Sequence, residues 1–243
     1  MKNIIDTPLL ITTAINPPMG MPYLKMTNPT LRKITSKASV YYWIGLGFRN
    51  LIIADATNTC LFDSDEINDL TLLDVNIEQL FYAQDELSAV SKGKGYAEGL
   101  LLNFALVNSN IIKHHESFFK STGKIFVRNI NEINKIIKIN NIKTFFWRYL
   151  GDGSSQQPFA DTRFFFCDKS FALNNLVPAY LKADDNISAC EYHVFNMLNS
   201  NMKPGSKALR PKITGFEGGT GSMYFDDSLG YLDYEFPCWV SIK

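Results

Sequence analysis

The stretch from Leu9 to Ala54 constrains the fold more than any other part of the chain. Leu9-Leu10-Ile11-Thr12-Thr13-Ala14 is a short apolar run that stops at Asn16-Pro17-Pro18, as a buried strand halted by prolines would. Thr27-Asn28-Pro29-Thr30 opens a helix: Thr27 or Asn28 can cap it, and Pro29 suits its first turn. Leu31, Ile34, Ala38, Tyr41, Tyr42 and Trp43 follow at roughly helical spacing, and Gly45 and Gly47 end the run. Leu51-Ile52-Ile53-Ala54 is a second apolar run. Strand, helix and strand of these lengths make a βαβ unit.

The alternation continues. Asp63 to Glu66 begins a helix, Asn76 to Tyr82 is a third strand, and Tyr96 to Ile112 is a long helix. Phe118 to Val127 reads as strand, glycine turn, strand, with Lys120 and Lys124 held at the turn. Ile130 to Ile137 is helical, Lys143 to Arg148 and Thr162 to Cys167 are strands, and helices run to about Leu181 and over Ser188 to Leu198. Gly151 to Pro158 is a polar loop, and one more strand is expected near Tyr231 to Tyr234. The pattern predicts an α/β fold with a mainly parallel sheet covered by helices on both faces. A chain of 243 residues suits one large domain of that kind. Ligands of such sheets bind beyond the carboxyl ends of the strands. Thr12, Asp55, Lys92 and Lys120 all fall near predicted strand ends or turns.

A formal net charge of zero disfavours nucleic acid as a main partner. The four cysteines have no zinc-binding spacing and read as reduced thiols. Met1 to Asp6 breaks its apolar patch with charge, unlike a secretory leader, and no 18-residue apolar run occurs. A cytoplasmic location is expected, with peripheral contact at the inner membrane compatible with it.

Several clusters bear on chemistry. Asp55 closes an apolar strand, where a carboxylate can accept from a base or ribose, or can cap the next turn. Lys92-Gly93-Lys94-Gly95 leads into the long helix without Walker or dinucleotide spacing, yet glycines and a helix N-terminus favour anions. Lys120-Ser121-Thr122-Gly123-Lys124 offers ammonium and hydroxyl groups to a phosphate or sugar. Asp63 and Glu66 have capping-box spacing, which argues against a metal at Asp63 and Asp65. Glu191 and His193, two apart on a helix, do not share a face, so Glu191 alone stands as a candidate base. Arg163, inside an aromatic strand, wants a carboxylate or phosphate partner, with Asp161 and Asp184 at hand. Gly215 to Gly221 could form a glycine-hinged cover.

In their order these elements resemble a GT-A-type nucleotide-sugar glycosyltransferase, of the kind found in bacterial capsule, O-antigen and lipooligosaccharide gene clusters. Thr12-Thr13-Ala14, Asp55, Lys92-Gly93-Lys94-Gly95 and Lys120-Ser121-Thr122-Gly123-Lys124 carry the resemblance. The last stands where such enzymes usually have an Asp-x-Asp metal motif; this chain looks like the subgroup with Lys-x-Thr-Gly-Arg/Lys there. Asp161 to Phe166 and Ala189 to His193 also match that subgroup, and the likeness spans about residues 9 to 198.

The resemblance implies a single GT-A-like, Rossmann-like domain over 1–243, with a nucleotide-sugar half at 1–127 and an acceptor half at 128–243. It implies transfer of a sugar from a nucleoside diphosphate donor, UDP by preference, to a hydroxyl of a surface glycan or lipid-linked glycan. No cofactor or metal is expected. Thr12, Thr13, Ala14 and Asp55 would hold the nucleoside. Lys92, Gly93, Lys94, Lys120, Thr122, Gly123, Lys124 and Arg163 would complete the donor site and face the diphosphate. Glu191 would be the base, and Asp161, Phe216, Glu217 and Gly218 would lie toward the acceptor. A nucleotidyltransferase would want a basic, Gly-rich loop after the first strand, where this chain has Asn16 to Pro22. A non-catalytic nucleotide- or glycan-binding module is the other alternative.

Overall fold

Strand β1 (Leu9–Thr13) is the axis about which the fold is arranged. The computed structural model describes residues 5–150, 157–201, 209–216, 223–225 and 239–240. From β1 the chain passes through helix α1 (Pro29–Gly45) to β2 (Asn50–Asp55), then through α2 (Ser64–Leu72) to β3 (Asn76–Phe81). It then runs through α3 (Glu86–Lys92), α4 (Lys94–Asn108) and α5 (Asn110–Lys113) and returns on the other side of β1 as β4 (Ser117–Thr122). The order β3-β2-β1-β4 therefore reverses beside β1, and all three pairings are parallel.

The second half of the chain completes the same sheet. After β5 (Ile125–Val127) and α6 (Ile130–Ile139) come the short strands β6 (Thr144–Phe145), β7 (Arg148–Tyr149) and β8 (Phe159–Ala160), and then β9 (Phe164–Asp168). Strand β9 lies between β4 and β6, antiparallel to both, so β6 points the same way as β1 to β4. A helical run follows: α7 (Lys169–Phe171), a π-helical segment (Ala172–Leu176) and α8 (Val177–Tyr180). Helix α9 (Cys190–Asn201), β10 (Ile213–Phe216), β11 (Met223–Phe225) and β12 (Trp239–Val240) end it, and β12 pairs with β6 at the sheet edge. The fold is α/β with a mixed sheet whose strands mostly run one way, flanked by helices. None of the described helices is long and apolar enough to cross a membrane.

Strands β1, β2 and β9 are mostly apolar because both of their faces are covered. On one side Leu10, Ile52, Phe118 and Phe165 meet Leu101, Leu102 and Ala105 of α4 and Val194 and Leu198 of α9. On the other, Leu9, Ile11, Ile53, Phe119 and Phe164 meet Trp43 of α1 and Ile130, Ile133 and Ile137 of α6. Successive residues of one strand alternate between these cores, as pleating requires.

The structure departs from the sequence reading at several points. The residues at helical spacing on α1 are largely on its outside: Leu31, Ile34, Tyr41 and Tyr42 are exposed. The buried face carries Arg32, Thr35, Ser36, Ser39 and Val40 instead. Three of those polar side chains are bonded internally: Thr35 Oγ1 donates to the Leu31 carbonyl, Ser39 Oγ to the Ile125 carbonyl beside Trp43 Nε1, and Arg32 to the Ala14 and Met26 carbonyls. The stretch expected as one strand-turn-strand hairpin does not pair with itself. Strand β4 joins the main sheet, while β5 pairs with β10 in a separate three-stranded sheet, so the Gly123-Lys124 turn carries the chain from one sheet to the other. Residues 143–148 supply β6 and the start of β7, in different sheets. The expected capping box is present: Asp63 accepts from Glu66 N, and Glu66 returns a bond to Asp63 N. The expected strand near Tyr231 to Tyr234 lies outside the described residues.

Helix α4 lies unusually close to its neighbours. A Cβ at Gly95 would sit 2.8 Å from Cys190 Cβ, and one at Gly99 would sit 2.6 Å from Tyr180 Cβ. A clash between two Cβ atoms yields only to backbone movement. Gly99→Ala should therefore lower the urea midpoint despite the roughly 1 kcal/mol helix preference of alanine over glycine. A midpoint at or above that of the wild type would contradict this packing.

Candidate functional site

The carboxyl ends of β1, β2 and β4 open into a cavity of about 430 Å³. It sits where the strand order reverses, the position at which doubly wound sheets bind ligands. Its walls come from the loop after β1, the first turns of α1 and α4, the Gly123-Lys124 turn, Thr162 and Arg163 ahead of β9, and the start of α9.

Beneath the cavity lies a buried ionic centre. Lys120 points out of β4 with no exposed surface and forms a 2.6 Å ion pair with Glu98 of α4. Its ammonium also donates to the Thr162 carbonyl at 2.8 Å and to Thr122 Oγ1 at 3.3 Å. The same Glu98 oxygen accepts from Thr12 Oγ1 at 2.7 Å. Lys120 is thus inside a strand and fully engaged.

Lys124, four residues on, is in a different state. It is 8% exposed and lines the cavity, and no described residue accepts a hydrogen bond from its ammonium. Burial, then the nearby Arg32 charge, brings its pKa down from 10.5 to about 7; Glu98 opposes this and Lys94 adds to it. Gly123 is required beside it, because a Cβ there would lie 2.4 Å from Thr13 Cγ2 and 3.0 Å from the Thr12 carbonyl oxygen. Gly215 of β10 crosses the same turn with φ +133°, where a Cβ would lie 2.2 Å from the Lys124 carbonyl oxygen.

Glu191 lines the cavity at the start of α9. Its Oε1 accepts from Thr162 Oγ1 at 3.2 Å and its Oε2 from Cys190 Sγ at 3.2 Å. Both partners are neutral. Burial first, then the Glu191 and Glu98 charges, pushes the Cys190 thiol well above its ordinary value, so it stays a donor. Arg163 is held by Asp161 through two side-chain bonds of 2.9 and 2.6 Å. Burial alone would raise the Asp161 carboxyl, but the Arg163 charge and its hydrogen bonds outweigh this and hold it below the usual range.

Of the residues singled out from sequence, Thr12, Thr13, Ala14, Lys94, Thr122, Gly123, Lys124, Arg163, Glu191 and Phe216 meet in this cavity. Asp55, Lys92, Gly93, Lys120 and Asp161 are not on its wall. Asp55 is 1% exposed and clamps the loops after β1 and β2: it accepts from Thr13 Oγ1, Ile15 N, Thr57 N and Oγ1, and Thr59 N. Lys92 lies over the Tyr96 ring, 4.2 Å from its centroid. Gly93 adopts φ +91° and is covered by Asp185, whose carboxylate accepts from Lys94 N at 2.7 Å. The anion at the α4 N-terminus is therefore the protein's own. Glu217 and Gly218 lie outside the described residues. Sequence reasoning missed Arg32, Glu98, Tyr23, Thr57 and Gln84, all on the cavity wall. The available signal was an arginine in phase with Thr35, Ser36 and Ser39, a polar stripe on a helix otherwise read by its apolar residues. Among the described residues no group of three or more His, Cys, Asp or Glu side chains could hold a metal ion. The sequence matches no protein-family model and no curated protein.

A lysine whose folded pKa is depressed has a signed effect on stability. Between about pH 7 and its unfolded pKa the unfolded chain holds the proton that the folded chain lacks. Stability from this group therefore rises with pH across that window, and the full cost of the buried ammonium is present below pH 7. Lys124→Met removes the cost. Its melting-temperature gain over the wild type should be largest at pH 6 and shrink toward pH 10 (about the window the two pKa values bracket); a gain independent of pH would contradict a buried, unpaired ammonium.

Proposed function

We propose that the chain is a glycosyltransferase of GT-A-like architecture, moving a sugar from a nucleoside diphosphate donor to a hydroxyl of a bacterial surface glycan. The observation that carries the reading is Lys124, a largely buried lysine with no hydrogen-bond acceptor among the described residues, facing a cavity at the sheet's switch point. An ionised or ionisable group in that position is stabilised by an anion supplied from outside. Arg32 and Lys94 share the cavity with it, so a diphosphate would meet three cationic side chains. The reading of the acceptor and of the donor class draws on the sequence resemblance.

In the reaction, the acceptor oxygen bonds to the anomeric carbon as the bond from that carbon to the diphosphate oxygen breaks. The electron pair leaves on the diphosphate. Lys124, Arg32 and Lys94 oppose the charge that grows there, the role a fixed electrostatic environment plays in transition-state stabilisation. The acceptor proton goes to Glu191. Of the two glutamates on the wall, Glu98 is committed to Lys120 and Thr12, whereas Glu191 is held only by neutral donors. That leaves Glu191 the better proton acceptor.

Two measurements test this. UDP or a UDP-sugar at millimolar concentration should raise the melting temperature by mass action, and Lys124→Met should abolish the rise. With a competent acceptor, Glu191→Gln should keep that ligand-induced shift and lose transfer by about 10²- to 10⁴-fold, the usual contribution of a positioned base. Stabilisation by no nucleoside diphosphate would sink the donor site. Near-normal turnover in Glu191→Gln would make Glu191 a structural residue and favour a retaining reaction.

A further inference from the structure

Lys124 is in an unusual state for a lysine at a turn. The long stem of a lysine ordinarily lets the amine reach out to water. This one stays buried on the cavity wall. Its backbone is pinned on both sides: Gly123 N donates to the Thr12 carbonyl at 2.8 Å, and Phe216 N donates to the Lys124 carbonyl at 3.0 Å. The charged groups acting on the amine are Arg32 of α1 and Lys94 and Glu98 of α4. The wall also carries Arg163, Asp185 and Glu191. The carboxylates among these are bonded elsewhere: Glu98 to Lys120, Asp185 to Lys94 N, and Glu191 to Thr162 and Cys190.

Arg32 supplies the second half of the arrangement. It is buried on the same wall and donates to the Ala14 and Met26 carbonyls through Nε and Nη1. Among the described residues no carboxylate is hydrogen-bonded to it. A buried guanidinium near a buried amine has two effects. Added to burial, the larger cause, it favours the neutral amine and brings the Lys124 pKa to about 7. It also offers an anionic group a place close to that amine. A desolvated lysine beside a second cation is an arrangement that activates an amine toward carbonyl compounds.

We infer that Lys124 is the nucleophile of an imine-forming site, which takes a small aldehyde or ketone bearing a phosphate or carboxylate and holds that anionic group with Arg32 and Lys94. The Nζ lone pair adds to the carbonyl carbon, and the carbonyl oxygen takes up a proton. The carbinolamine so formed expels that oxygen as water and leaves a C=N bond to Nζ. No oxidant or reductant enters. The cavity of about 430 Å³ admits a ligand of this size, and Leu24, Leu101 and Ile125 give it apolar walls that limit the water able to reverse the step. This chemistry goes beyond glycosyl transfer and does not rest on it. The two readings meet at one amine. A bound diphosphate favours the ammonium, which cannot add to a carbonyl, so the two ligands exclude each other.

The probe is pyridoxal 5′-phosphate, which carries an aldehyde and a phosphate in one molecule. The full chain is mixed with it at equimolar concentration across pH 6 to 9, trapped with borohydride, and the adduct located by peptide mass spectrometry. At pH 7.5 only about one ordinary lysine in a thousand is neutral, so Lys124 should be labelled about tenfold or more faster than any exposed lysine. Its rate should level off above about pH 7, while the exposed lysines keep gaining about tenfold per pH unit. Pyridoxal, which lacks the phosphate, should label Lys124 more slowly. Adducts confined to exposed lysines, or a Lys124 rate that climbs in parallel with theirs to pH 9, would overturn the inference. Equal rates for the two aldehydes at Lys124 would overturn the roles given to Arg32 and Lys94. Millimolar UDP should protect Lys124; labelling of Lys124 that UDP does not slow would leave the imine site standing and count against the donor site.

Discussion

The buried ion pair between Lys120 and Glu98 is the interaction on which the cavity depends. It joins β4 to α4, and through the Thr12 hydroxyl and the Thr162 carbonyl it also joins β1 and the approach to β9. An ammonium with no exposed surface is tolerable only with a charged partner and further hydrogen bonds, and Lys120 has both. Loss of Glu98 would leave that ammonium uncompensated and would free the Thr12 hydroxyl as well. The pair also sets the electrostatics of the space above it. Glu98 is spent on Lys120, so Lys124 gains only a distant attraction from it while Arg32 and Lys94 repel.

Two lysines in one short segment therefore do opposite work because of pleating and a turn. Lys120 is in the strand, where its side chain must enter a core face. Lys124 is beyond Gly123, where the chain leaves the main sheet for the small one formed by β5, β10 and β11. Gly123 permits that exit by packing against Thr12 and Thr13, and Gly215 permits β10 to cross the same turn. Lys124 is thus positioned on the cavity wall by two glycines and by the point at which one sheet hands the chain to another.

The sheet was largely legible in the sequence. Leu9 to Thr13 and Asn50 to Asp55 are buried, largely apolar runs separated by a helix, as strands covered on both faces read, and the partly buried edge strand Asn76 to Phe81 follows after a second helix. The face of α1 was not legible. Its buried stripe is mostly polar because it abuts a cavity and the Ile125 carbonyl, which takes donors from Ser39 and Trp43, so of the residues read at helical spacing only Trp43 faces the core. The site was half legible for a related reason. Thr12, Thr13, Lys94, Lys124 and Glu191 stand at strand ends and helix starts, positions that local pattern reveals. Arg32, Glu98 and Gln84 enter the cavity from other elements, and only the three-dimensional arrangement brings them there.

Asp55 and Lys92-Gly93-Lys94 show how the same pattern misdirects at close range. A carboxylate at a strand end and a glycine-led helix start are both features that bind ligands, and here both are filled from within. Asp55 collects donors from two loops and so holds the rim of the cavity in shape. Asp185 occupies the α4 N-terminus and seals Gly93 beneath it. With these two carboxylates bonded to the protein itself, the cavity still presents, among the described residues, the Lys124 side chain without a hydrogen-bond acceptor and the buried Gln84 Nε2 without a partner.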